Sequence, residues 1–268
     1  MAVIDGKKIA EELLADLKKT IAGRDLRLAA IIIGDDPALK VFVNLKRKAA
    51  HAIGIEFSSY MVETPAQVME TIQWLSKDPA IQGMLVELPI PRGFNTQKIL
   101  DAIPVEKDVD VLTSKGEEDF YKNESDILPP AVEALKILMK HQKINPKGKN
   151  IAVFGQGRLV GKPISHWLSL QGADVHAIDE NTENPESISA SADIIISGVG
   201  KPGVITANMI QEDAVVIDYG FGKKGSKLAG DVDFETVVKK ASLITPVPGG
   251  MGPIVVAAVL KNLVQLSF

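Results

Sequence analysis

Cysteine is absent from the 268 residues, which excludes a disulfide framework, a thiolate metal site and a cysteine nucleophile together. Histidine is scarce. His51, His141, His166 and His176 are not spaced as paired ligands, so neither a zinc enzyme nor any other metal site is expected. Neither sign of charge prevails: 30 basic residues face 34 acidic ones, for a net charge of −4. The positive field that nucleic-acid binding requires is therefore missing. Long apolar runs are missing too. The longest, residues 254–260, falls far short of a membrane span. Lys7 and Lys8 interrupt the N-terminal segment before it reaches the length of a signal-peptide core. The chain reads as soluble and cytoplasmic, with no nucleic-acid or membrane partner, no internal repeat and no low-complexity tract.

What remains is 46% apolar, ample for a buried core, and at about 150 residues per domain the length suits one or two domains. Ile9, Leu13, Leu17 and Ile21 recur every four residues and share one helical face. Residues 28–33 are apolar at every position and end at Gly34-Asp-Asp-Pro37, as suits a parallel strand covered on both faces. The pattern predicts a helix over 38–52, a strand near 56–62, a helix over 66–75 and a strand over 84–88 closed by Pro89. Such alternation is that of a doubly wound α/β sheet. Between 108 and 130 the composition turns polar and acidic, and a domain boundary is placed near its end. Residues 1–130 then form one domain and 131–251 a second, opened by a connecting helix over 131–141. In the second, strands are expected over 151–154, 174–178, 193–197, 214–218 and 243–246. Residues 252–266 are apolar nearly all round a helix, which calls for burial and suggests a return of 252–268 to the first domain.

One stretch carries chemistry on its own. The strand at 151–154 runs directly into Gly155-Gln-Gly157-Arg-Leu-Val-Gly161, which opens a helix. Glycines allow a tight turn and close backbone approach, and the helix N-terminus offers free N–H groups to a pyrophosphate. The third glycine stands one place later than in the usual fingerprint. Roughly 20 residues on, as the fingerprint requires of its acid, the strand at 174–178 ends at Asp179, which can accept hydrogen bonds from an adenosine ribose. The plain alternative is a glycine-rich β–α turn without a ligand. The favoured reading is a Rossmann-type nicotinamide-binding domain.

Several motifs extend this to the whole chain: Thr245-Pro-Val-Pro-Gly-Gly-Met-Gly-Pro253, Lys107-Asp-Val-Asp110, Gly230-Asp-Val232, Val160-Gly-Lys-Pro163 and Ile4-Asp-Gly-Lys-Lys-Ile-Ala10. In these motifs and their order the chain resembles the methylenetetrahydrofolate dehydrogenase/cyclohydrolase family over essentially its full length. The resemblance implies a folate-binding first domain, a nicotinamide-binding second domain and a homodimer. It implies oxidation of 5,10-methylenetetrahydrofolate to the methenyl form with NADP as the family default, followed by hydrolysis to 10-formyltetrahydrofolate. By that resemblance Lys46 matches the family's catalytic lysine and Asp110 the aspartate that holds the pterin ring. Gly249, Gly250 and Pro253 match the loop that lines the folate and nicotinamide sides of the site. Gly155, Gln156, Gly157, Arg158, Gly161, Asp179 and Glu180 fall at the cofactor. Plainer roles stand beside these: a solvated basic face for Lys46-Arg-Lys48, a turn for Asp110, and helix initiation for Pro253.

The chain also departs from the family. The family tyrosine is Phe42 here, a preceding serine is Leu39, and the glutamine of the Leu-Val-Gln-Leu-Pro strand end is Glu87. Positions 42 and 46 share a helical face. A carboxylate beside a lysine favours its ammonium form, which hampers a lysine assisting proton transfer. Hydride transfer asks mainly for positioning and tolerates such changes better. A dehydrogenase with weakened cyclohydrolase activity is therefore a second reading, and a nucleotide-sensing regulator on a decayed scaffold a third. At the cofactor, Gln156, Asp179 and Glu180 stand where NADP-using members commonly carry arginine, serine or histidine. Two acids would repel a 2′-phosphate and accept from a free 2′-hydroxyl, which points to NAD. Arg158 is the nearby cation that could serve NADP instead.

Overall fold

The computed structural model describes residues 2–225 and 227–268, apart from the side chains of Pro37, Ala38, Lys224 and Lys227. The chain divides into two compact units, one of residues 11–130 with 256–268 and one of residues up to Ala10 with 131–255. We call them the N-terminal and C-terminal units.

The chain opens with β1 (Ala2–Val3) and enters the N-terminal unit within α1 (Gly6–Thr20), followed by β2 (Arg27–Ile33), α2 (Pro37–Ile53), β3 (Glu56–Val62), α3 (Pro65–Lys77) and β4 (Gly83–Val86). The three longer strands form a parallel sheet in the order β3-β2-β4. Central β2 is apolar throughout because both its faces are covered. Leu28, Ala30 and Ile32 pack with Leu17 of α1, with Ile21 just after it, and with Leu39, Val43, Ala50 and Ile53 of α2. Ala29, Ile31 and Ile33 pack with Val68, Ile72 and Leu75 of α3 on the other side. Helix α3 starts where its sequence dictates: the Thr64 hydroxyl accepts from Gln67 N–H and the Gln67 side chain reaches back, a capping box with Pro65 in the first turn. Two short helices follow, α4 (Thr96–Leu100) and α5 (Ser114–Tyr121). The acidic stretch read as approaching a boundary thus holds a helix, capped by Thr113, whose Oγ1 accepts from Gly116 N–H at 3.0 Å.

The C-terminal unit runs through α6 (Pro130–His141), β5 (Asn150–Phe154), α7 (Gly161–Leu170), β6 (Asp174–Ile178), α8 (Pro185–Ser189), β7 (Ile194–Ser197), β8 (Val215–Asp218), a hairpin of β9 (Gly222–Lys224) and β10 (Lys227–Ala229), α9 (Phe234–Val237) and β11 (Leu243–Ile244). Its parallel six-stranded sheet has the order β1-β11-β8-β7-β5-β6. The edge strand β1 differs from expectation. Residues 1–130 read as one domain, yet Ala2 and Val3 pair with Leu243 and Ile244, so residues up to Ala10 group with the second unit. A two-residue strand has no periodicity to read. The hairpin and the four- or five-residue helices α4, α8 and α9 escape sequence reading for the same reason.

The last helix, α10 (Met251–Leu266), starts one residue before the expected 252 and continues into the N-terminal unit from Val256. There Val259, Leu260, Leu263 and Val264 join the core under β2. Asn262, fully buried on this apolar helix, donates from Nδ2 to the carbonyls of Val109 at 2.9 Å and Leu128 at 2.8 Å.

Candidate active site

Leu39, Val43, Ala50 and Ile53 form the buried stripe of α2, and Lys46 falls on it at helical spacing. A lysine there needs a partner, because an unpaired buried ammonium is costly. Glu87, the first residue beyond β4, supplies it: its N–H is bonded to Ile31 C=O at 2.9 Å, continuing the sheet. Lys46 Nζ donates to both carboxylate oxygens, at 2.7 and 2.8 Å. The side chains are only 14% and 5% exposed, so the pair is well shielded from water. Phe42, one turn before Lys46, is half-buried. Arg47, by contrast, turns to Asn44, Ser59 and the Phe57 ring, a packing role.

Asp110 completes this group. Burial pushes its carboxyl up to about 7; the Lys46 ammonium opposes the rise, while the carboxylates of Glu87 and Asp108 add to it. Its backbone is held on every side. Lys107 Nζ donates to the carbonyls of Ser76 and Asp78, both at 2.9 Å, capping the end of α3. Asp108 Oδ2 accepts from Leu112 N–H at 2.8 Å and Thr113 N–H at 2.7 Å. Val109 is fully buried, and Val111 takes a φ of 57°, a conformation that a β-branched residue adopts only under constraint. Asp108 is a residue that sequence reading passed over. The motif containing it was visible, but its partners at 112 and 113 are backbone groups that no side-chain pattern reveals.

In the C-terminal unit the strand order reverses around β5, with β6 on one side and β7 on the other. Ligands of open α/β sheets bind beyond the carboxyl ends of strands at such a point. The loop there is Gly155–Gly161. Gly155 has a φ of 83°, and a Cβ on it would lie 2.8 Å from Gly198 O. A Cβ on Gly161 would lie 1.7 Å from Gly155 O, so these two glycines are required by the turn itself. Gly157 differs: a Cβ there would meet nothing within 4 Å, leaving an exposed backbone that a ligand can approach. No side chain caps α7; within its first turn Lys162 N–H donates to Gly157 C=O at 3.1 Å and Pro163 carries no N–H, which leaves the Gly161 end of the helix facing the loop. Such a cradle fits a dinucleotide. Gln156 Nε2 donates to Val153 C=O at 2.9 Å and so braces the loop. Asp179 and Glu180 stand exposed beyond β6. Asp179 Oδ1 accepts from Asn181 N–H at 2.9 Å and the Thr182 hydroxyl at 3.2 Å, shaping its own turn.

The signature ending in Pro253 is largely accounted for by packing. Gly249 has a φ of 102°, its carbonyl accepts from Gly6 N–H at 2.9 Å, and a Cβ on Gly6 would lie 1.8 Å from Gly250 O. Gly6 belongs to the N-terminal motif, so two distant motifs are explained by one backbone contact. Pro253 stands third in α10, where no helical N–H partner is lost. Among the described residues, no group of three or more histidine and carboxylate side chains is placed to hold a metal.

Comparison with known proteins adds to this geometry. Residues 4–110 match the family model described as the tetrahydrofolate dehydrogenase/cyclohydrolase catalytic domain, and residues 129–267 its NAD(P)-binding domain. The bifunctional protein FolD of Moorella thermoacetica is 38% identical over 274 residues, covering 99% of this chain and 98% of that protein. The crystal structure of bifunctional FolD, a methylenetetrahydrofolate dehydrogenase/cyclohydrolase, from Campylobacter jejuni superposes with a TM-score of 0.96 at 33% identity, covering 100% of this chain and 98% of that one. The Trypanosoma brucei FolD, solved with NADP and an inhibitor, gives 0.94 at 31% identity over 99% of this chain and 96% of that one.

Proposed function

The chain belongs to the tetrahydrofolate dehydrogenase/cyclohydrolase family, and from that premise we propose how its own residues share the work. It is an oxidoreductase and a hydrolase of one-carbon folate chemistry. It oxidises 5,10-methylenetetrahydrofolate to the methenyl form with NAD(P) and hydrolyses that product to 10-formyltetrahydrofolate. The observation that carries the assignment of residues is the shielded Lys46–Glu87 pair with Asp110 beside it. Lys46 presents the ammonium to the reacting one-carbon unit and assists proton transfer in hydrolysis. Asp110, when ionised, accepts from the adjacent N–H and amino groups of the pterin. Phe42 lines the same helix face as Lys46 without contributing a hydroxyl. Gly249, Gly250 and Pro253 would offer a ligand a stretch of backbone that is bare at Gly249.

The bound nucleotide supplies a hydride acceptor. Gly155, Gly157 and Gly161 would admit its pyrophosphate, with Gln156 and Arg158 alongside. Asp179 and Glu180 favour a free ribose over a 2′-phosphate, so NAD is the preferred cofactor. A second reading, dehydrogenation with slow hydrolysis, is favoured by one specific observation. Glu87 engages Lys46 Nζ through both oxygens, where an amide would offer a single acceptor and leave more of Nζ free to reach the one-carbon unit. The chain also acts as a homodimer. In support, β3 is a sheet edge, and Val41, Leu45, Met61 and Trp74 lie exposed on α2, β3 and α3.

One set of initial-rate assays tests the assignments. Wild type and Lys46→Met are measured for both reactions, with NAD and NADP in parallel. The variant should lose hydrolysis at least a hundredfold while binding nucleotide as wild type does, and wild type should prefer NAD. Hydrolysis retained by Lys46→Met would remove Lys46 from the mechanism.

A further inference from the structure

The C-terminal unit buries two carboxylates for which neither reaction has a use. Asp218 ends β8 and Asp231 follows the hairpin, with exposures of 2% and 0%. One oxygen of Asp231, Oδ2, accepts from the Ser197 hydroxyl at 2.8 Å and from Val199 N–H at 2.7 Å. Its other oxygen is buried without a hydrogen-bond partner among the described residues. Asp218 holds Asp231 in turn. Its Oδ1 accepts from Gly220 N–H at 2.7 Å and Asp231 N–H at 3.2 Å, and its Oδ2 from Val232 N–H at 3.0 Å. The Asp218 N–H is itself fixed by the Thr245 hydroxyl at 2.7 Å. Gly220 and Gly230 make the space, since a Cβ on them would lie 2.3 Å from the Asp231 carboxyl and 2.0 Å from Asp218 Oδ2.

Two like charges in a core oppose folding. Burial pushes Asp218 up to about 6, and Asp231 adds to the rise. An apolar pair would hold strands together without that penalty, but it could not orient an N–H group. The group oriented here is the loop after β7. Strand β7 runs beside β5 at the point where strand order reverses, and Gly198, between the two residues that Asp231 binds, packs its carbonyl against Gly155. The loop from Ser197 to Val199 is therefore the wall on which the glycine loop rests.

We propose that Asp231, supported by Asp218, is a positioning residue for the nicotinamide nucleotide: it anchors the Ser197-Gly-Val199 wall of the crevice beyond β5 and β7. This rests on the nucleotide-binding reading of that crevice. Without the anchor the wall loosens and the glycine loop loses the surface that sets its shape. The charge itself is not needed for this. Asparagine keeps a carbonyl oxygen for both bonds, whereas alanine keeps none.

The test compares wild type, Asp231→Ala and Asp231→Asn. Affinity for NAD and NADP is measured by titration calorimetry without folate, methenyltetrahydrofolate hydrolysis without nucleotide, and amide hydrogen exchange over residues 197–203. Asp231→Ala should bind nucleotide at least tenfold more weakly and exchange faster at Val199, with hydrolysis within twofold of wild type. Asp231→Asn should recover affinity to within threefold. An alanine variant that hydrolyses normally and binds both nucleotides as wild type does would overturn the proposal. If that variant does not fold, Ser197→Ala, which removes one of the two bonds, should still weaken binding severalfold, and unchanged affinity there overturns it equally. A wild type that binds neither nucleotide would instead sink the nucleotide reading, and this proposal with it.

Discussion

Lys46, Glu87 and Asp110 share one problem, which is charge brought out of water. The cation is matched bidentately by Glu87, and burial raises the ionisation of the second carboxylate, Asp110, to about 7 against the pull of the Lys46 ammonium. Between roughly pH 4, where a free aspartate ionises, and pH 7 the folded chain keeps a proton that the unfolded chain has released. Stability therefore falls as pH rises through that window, and the loss is complete above it. Asp110→Asn should be neutral near pH 4 and more stable than wild type at pH 8 by roughly 2 kcal/mol, half the ceiling set by 1.36 kcal/mol per unit. Urea unfolding at the two pH values checks this. Under the role proposed for Asp110, function runs the other way, because only the ionised carboxylate would accept from both N–H groups of the pterin. The KM for folate in the dehydrogenase reaction should rise as pH falls below about 7. Glu87→Gln removes one negative neighbour, so the break should move to lower pH. An unmoved break would show that Glu87 and Asp110 are not coupled.

At the level of elements, the turn between Lys107 and α5 is held from several sides. Lys107 fastens it to α3, Asp108 closes it on 112 and 113, and Asn262 of α10 grips the Val109 carbonyl. Gly83 at the start of β4 belongs to the same construction. A Cβ there would stand 2.5 Å from Leu263 Cδ1 and 2.6 Å from Val109 Cγ1, so helix and turn meet over a bare backbone. Gly83→Ala should cost about 1–3 kcal/mol in chemical denaturation, as overpacking usually does. Because Val109 must move, its KM for folate should also rise several-fold, with nucleotide affinity unchanged. A variant destabilised with KM unaltered would separate the packing from the placement of Asp110.

For the whole molecule, each unit is a parallel sheet with its own core, and no described helix is long and apolar enough to cross a membrane. The edge strand β3 is where a second copy would add. Tyr60 meets Trp74 edge-to-face at 5.7 Å, and Trp74 and Met61 stay exposed, an apolar surface beside unpaired strand backbone. Sedimentation velocity should find wild type dimeric at micromolar concentration and Met61→Glu with Trp74→Glu monomeric. A dimer that survives both charges would place its interface elsewhere.

Much of this was set by sequence alone. A short apolar run bounded by turn residues marks a strand covered on both faces, as β2 and β5 are, and a glycine series between strand and helix marks a tight turn. Lys46, Glu87 and Asp110 could be named because each lies in a short stretch that resembles, or departs at one position from, a family motif. Tertiary structure decided what depends on distance. It joined β1 to β11, seated Gly6 on Gly249 and Gly250, and set Lys46 against a carboxylate 41 residues away. It also gave Asp108 and Asp231 their partners, among them backbone N–H groups that are identical in every residue but proline. A sequence records which side chains are present; only the fold chooses the backbone groups they hold.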